Sequence, residues 1–104
     1  MEIRWTKTAS QSLDTIFSFY KERSEHAANR IILDIVATAR RLVIFPQMAP
    51  IEPSLSGRSE TFRALLVKKL FKIIYYIDEV ADEIVIVTVW NCRQNPKTLM
   101  DLVK

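Results

Sequence analysis

Between Phe62 and Arg93 the chain carries three runs dense in Ile, Val, Leu, Phe and Tyr, separated by Lys68-Lys69 and by Asp78-Glu79-Val80-Ala81-Asp82-Glu83. Short β-branched and aromatic runs broken by polar clusters are the pattern of an antiparallel meander. They predict strands at about 61–68, 70–78 and 84–91. The second and third runs are apolar on nearly every residue, as in central strands covered on both faces. The Lys68-Lys69-Leu70 connection contains neither Asn-Gly nor another favoured turn pair.

The first half of the chain has a different period. Ile3 and Trp5 alternate with Glu2, Arg4 and Thr6, which predicts a short edge strand with one buried face. Leu13, Ile16, Phe17 and Tyr20 then fall on one helical stripe, with Thr8 or Ser10 as the expected N-cap. A second helix is expected after Ser24, with Ala28, Ile32, Ile35, Val36, Ala39 and Leu42 in its apolar stripe. It should stop by Phe45, because Pro46 disfavours helical geometry in the residue before it. Pro46 to Ser59 reads as a connector, since the helices before it cannot bury their stripes without the sheet after it. After Arg93, the Asn95-Pro96 pair predicts a cap and a short helix over 97–103.

These elements make an α+β fold: a strand, a helical hairpin over one sheet face, a three-stranded antiparallel meander and a short terminal helix. At 104 residues, 49% apolar and 26% charged, the composition fits one folded domain over 1–104. One Cys and one His allow neither an internal disulfide nor a four-ligand zinc site, so no metal or other cofactor is expected. The opening MEIRWTK lacks the apolar core of a signal peptide, and no apolar run is long enough to span a membrane. A soluble, cytoplasmic protein is the resulting expectation. The net charge of +3 is mild, but five basic residues, Arg58, Arg63, Lys68, Lys69 and Lys72, stand against Glu60 alone between positions 58 and 72. Such a hairpin attracts phosphates or an acidic protein.

Four segments carry a likeness to a known family: Ile3-Arg4-Trp5-Thr6 with Ala9 and Leu13, then Phe62-Arg63, then Phe71-Lys72-Ile73-Ile74-Tyr75-Tyr76-Ile77, then Val89-Trp90-Asn91-Cys92-Arg93-Gln94-Asn95-Pro96. In this order and spacing the chain resembles the RelE/ParE superfamily of bacterial type II toxin–antitoxin toxins. The resemblance implies a cognate antitoxin as partner and one of two activities. RelE-like toxins cut messenger RNA in the ribosomal decoding site without a metal, whereas ParE-like toxins inhibit DNA gyrase. The reading placed first is a ribosome-dependent mRNA endoribonuclease; the alternatives are a gyrase inhibitor and a non-catalytic module for an acidic partner. A homodimer or a toxin–antitoxin hetero-oligomer is compatible with each.

By position, the resemblance assigns catalytic roles to Arg63, Lys72 and Arg93; the local positive charge adds Lys68 and Lys69, and the opposite facing of Tyr75 and Tyr76 adds Tyr76, as RNA- or phosphate-binding residues. In that chemistry the ribose 2′-hydroxyl attacks the adjacent phosphate while basic groups move protons and stabilise charge on phosphorus. Leu65 and Leu99 stand where the family places a second hairpin lysine and a tail tyrosine. Arginine stays protonated and makes a poor base, so Lys72 is the one member of the trio able to lose a proton. The functional reading requires these cations to meet on the sheet face away from the helices. The structural alternatives are solvated strand charges that discourage edge pairing, and an Arg93–Asp101 pair. His26 is expected at the surface, Cys92 as a buried inert thiol, and Trp5 and Trp90 in the core.

Overall fold

The computed structural model describes residues 1–93 and 96–103. Strand β1 (Glu2–Trp5) leads into helices α1 (Lys7–Lys21) and α2 (Glu25–Arg40), followed by strands β2 (Arg63–Val67), β3 (Phe71–Asp78) and β4 (Glu83–Asn91) and helix α3 (Pro96–Leu102). Single 3-10 turns occupy Arg41–Val43 and Pro53–Leu55. The sheet order is β1-β4-β3-β2. The three late strands form the expected meander, and β1 pairs parallel with β4 from Glu2–Glu83 to Trp5–Ile86, on the sheet's edge.

Helix α1 begins two to four residues before the expected caps. Its cap is Thr6, whose Oγ1 accepts the Ala9 N–H at 3.2 Å. The same hydroxyl donates to the Ile86 and Val87 carbonyls at 2.9 and 3.2 Å, so one side chain ends β1, starts α1 and fastens both to β4. Thr8 and Ser10 lie inside the helix instead. Ser24 caps α2 as expected, accepting from Ala27 N–H at 3.1 Å. Asn95, the expected cap of α3, and its neighbour Gln94 lie outside the described residues.

The helical pair covers one face, where Ala9, Ile35, Ala39 and Leu42 meet Leu65, Val67, Phe71, Ile73, Tyr75, Ile84, Ile86 and Val89. The other face is not open. There α3 and the Pro53–Leu55 turn pack Leu55, Leu99 and Val103 onto Phe62, Ala64, Ile74 and Trp90. The cause lies in β3 and β4, which carry apolar side chains on both phases of the strand period and need cover on both sides.

The β2–β3 turn succeeds without glycine. Lys68 and Lys69 both adopt positive φ, 54° and 57°, and Leu70 N–H closes the turn on the Val67 carbonyl at 3.0 Å. Two successive left-handed residues match the right-handed twist of a hairpin, as in a type I′ turn, but cost non-glycine residues about 1 kcal/mol each. Lys68 is held there by Asp34 of α2, 2.8 Å away. Lys69→Gly therefore removes strain without removing that pair, and should raise unfolding free energy by about 0.5 kcal/mol after the entropy of the unfolded glycine is allowed for. Urea denaturation measures this; a lower midpoint for the variant would contradict the turn geometry.

Candidate functional site

Alternation along β2 and β3 decides where the expected cations lie. Arg63 shares its strand phase with Leu65 and Val67 and stands opposite Tyr75, so it lies on the helix-covered face. Its guanidinium donates to the Ala49 carbonyl at 2.7 Å. Tyr75, fully buried, donates its hydroxyl to the Pro46 carbonyl at 2.7 Å, and burial pushes its phenol above the ordinary value. Together these two side chains bind the connector that follows α2 to the sheet.

Lys72 is three residues before Tyr75 and projects from the opposite face, beside Trp90. Its Nζ lies 2.8 Å from Oε1 of Glu52, a carboxylate only 5% exposed. The second carboxylate oxygen accepts from the Ser54 N–H at 3.2 Å and from the Ser54 hydroxyl at 2.8 Å. Burial alone would raise the Glu52 carboxyl, but the hydrogen bonds from Lys72 and Ser54, with the lysine's charge, outweigh it and hold the group below its usual range.

Arg93 belongs to a third place, the exposed turn beyond β4, where its backbone N–H donates to Asn91 Oδ1 at 2.9 Å. Among the described residues it forms no ion pair with Asp101. The expected convergence of Arg63, Lys72 and Arg93 is therefore absent, because an odd separation from Tyr75 sends Lys72 through the sheet from Arg63. Of the proposed phosphate ligands, Lys68 is paired with Asp34 and Lys69 is exposed at the hairpin tip. Tyr76 packs edge-on against Phe62, ring centroids 5.6 Å apart, on the same face as Lys72 but about 13 Å along the strand.

Arg58 donates to the Val103 and Met100 carbonyls at 3.0 and 2.7 Å and so fastens α3 to the loop before β2. Four of the five clustered cations thus hold the fold together. Leu65 and Leu99 are buried in the two opposite cores, 8% and 2% exposed. His26 is exposed at the start of α2 and Trp90 is core, as expected. Cys92, expected to be buried, is exposed; its N–H donates to Leu70 O at 2.8 Å, which continues the β3–β4 ladder while the side chain faces outward. It borders a small cavity of about 250 Å³ with Glu52, Lys72, Trp90 and Leu99. Glu52 was not singled out in the sequence, although it is the one acidic residue of the proline-rich connector over 46–59.

The family model described as the ParE toxin of type II toxin-antitoxin system, parDE, matches residues 3–96. Among solved structures, the chain is similar to one from the chromosomal ParDE toxin–antitoxin system of P. aeruginosa, with 23% identity and a TM-score of 0.71 over 88% of this chain and 95% of that one. It is also similar to a chain of the RelBE2 toxin–antitoxin complex of Mycobacterium tuberculosis, with 22% identity and a TM-score of 0.62 over 86% and 95% of the respective chains. These structures share the strand, helical hairpin and sheet described above. A comparison with curated proteins returns no significant match.

The Lys72–Glu52 pair makes a sharp stability prediction. Lys72→Met leaves a buried carboxylate without its cation and should cost about 2–3 kcal/mol at neutral pH, moderated because the lysine end reaches water. Since folding lowers the Glu52 pKa, its stabilisation is complete above the ordinary carboxylate range and is lost as pH falls through the folded value. The stability gap between the parent and Glu52→Gln should accordingly close on acidification. Chemical denaturation from pH 7 down to pH 3 tests this, and a gap that stays constant would remove the pair from the account.

Proposed function

The chain belongs to the ParE toxin family of type II toxin–antitoxin systems, and we propose that it arrests growth by binding and inhibiting DNA gyrase, with a cognate antitoxin as its neutralising partner. The observation that carries this reading is the engagement of the basic hairpin. Arg63 holds Ala49, Lys68 holds Asp34 and Lys72 holds Glu52, each at 2.7–2.8 Å. Cleavage through the ribose 2′-hydroxyl needs an acid and a base aimed at one phosphate. Here the lysine assigned to proton transfer faces a buried carboxylate, and the arginine beside it in the scheme lies across the sheet.

A toxin that acts by occupying a protein surface needs none of that alignment. Its demands are a rigid scaffold and exposed side chains of the right chemistry. The Lys72–Glu52 pair and the bonds from Arg63 and Tyr75 to the connector supply the rigidity, and the solved structures it resembles are described as toxin–antitoxin systems, which supports an antitoxin partner for this chain as well. The mRNA endoribonuclease placed first on sequence is the competing reading.

Two assays separate them. Added to purified gyrase, the protein should abolish supercoiling of a relaxed plasmid, while primer extension on messenger RNA from growth-arrested cells shows no new ends in phase with codons. The Lys72→Met/Glu52→Gln variant, which removes both charges of the pair together, should retain growth arrest if folded. Codon-phased cuts that vanish in this variant would establish the ribonuclease reading instead.

A further inference from the structure

The end of α2 presents an apolar corner that neither core uses. Ile44 is 72% and Phe45 60% exposed, flanked by partly exposed Val43 and Met48. With Pro46 and Gln47, three of these residues, Ile44, Phe45 and Met48, line a shallow concavity of about 510 Å³. Large apolar side chains grouped on a small protein mark an interaction surface when they are held in place and not merely left over. These are held in place: Leu42 and Ala49 on either side are buried, Tyr75 clamps the Pro46 carbonyl and Arg63 clamps the Ala49 carbonyl.

The backbone and the charges say what fits there. Ile44 and Phe45 N–H both close on the Arg41 carbonyl, Met48 N–H closes on Phe45 O, and the Pro46 and Ala49 carbonyls are taken from inside. With these groups engaged and the segment in tight turns, the exposed side chains carry the recognition, which suits the apolar face of a helix better than an added strand. From Ile35 to Ile51 the chain contains Arg40 and Arg41, both exposed, and no acidic residue. A second copy docked on the same surface by a two-fold axis would bring those arginines against their equivalents. A partner with carboxylates beside its apolar anchors meets them favourably.

We propose that this corner is a docking site for an amphipathic protein helix whose apolar face is flanked by Asp or Glu. Ile44, Phe45 and Met48 receive its anchors, and Arg40 and Arg41 select its charge. The proposal does not depend on gyrase being the target. It is tested on the full chain with two synthetic amphipathic helices that share one leucine face and differ in flanking Glu or Lys. The Glu peptide should bind about tenfold or more tightly than the Lys peptide, weaken with salt, and shift backbone amide resonances of 40–48. Ile44→Ser/Phe45→Ser should abolish binding of both with unchanged circular dichroism, and Arg40→Glu/Arg41→Glu should reverse the preference. Equal affinity for the two peptides, no binding of either, or shifts located elsewhere would overturn it. So would capture by anionic phosphatidylglycerol vesicles that outcompetes the Glu peptide, or a parent dimer that dissociates on Phe45→Ser.

Discussion

A β-strand sends successive side chains to opposite faces, and in β3 that alternation governs both the packing and the chemistry of the protein. Phe71, Ile73 and Tyr75 go to the helical pair, while Lys72, Ile74 and Tyr76 go to the face under α3 and the Pro53–Leu55 turn. Because β3 and β4 are apolar on both phases, each face needs its own cover. The single-sided helical hairpin is therefore completed by a second, smaller core built from the connector and the tail.

The connector between α2 and β2 is where the two faces meet. Its first part is held on the helix side by Tyr75 and Arg63, through the Pro46 and Ala49 carbonyls. Its next part pairs with the sheet edge, Glu52 N–H to Phe62 O and Ala64 N–H to Pro50 O, and delivers Glu52 to Lys72 on the far side. Wrapping the edge strand in this way hides backbone groups that would otherwise template aggregation. It also gives Arg63 and Lys72 partners within the connector, so that cations expected to act on a ligand instead hold the segment that follows Val43 to Met48.

For function, this changes which class of activity the surface supports. Phosphate chemistry depends on basic groups converging in one cleft, and Arg63 and Lys72 project from opposite faces of the sheet, with Arg93 in the exposed turn after β4. Protein recognition depends on rigid, exposed apolar anchors with a selective rim, and the end of α2 has that character. The match to the ParE toxin family shows a toxin of a type II toxin–antitoxin system.

Much of the architecture could be read from the chain. The helical stripes, the Ser24 cap, the meander and the order of elements followed from local periodicity, which depends on neighbours three or four residues away or on alternation within one strand. Apolar residues on both phases of β3 and β4 already required two covered faces. The Thr6 cap was hidden because that residue also ends a strand, and its hydroxyl is committed to carbonyls some eighty positions later.

The functional residues were less legible for the same reason. Sequence determined which side chains are charged and that Lys72 and Tyr75 differ in phase; it did not reveal that Arg63 stands opposite Tyr75, since register between strands is set by the whole packed sheet. Nor did it pair Lys72 with Glu52, twenty positions away across a proline-rich loop. Local pattern determined the elements, and tertiary packing decided which cations remain available to a partner, because an ion pair depends on distance in space and not along the chain.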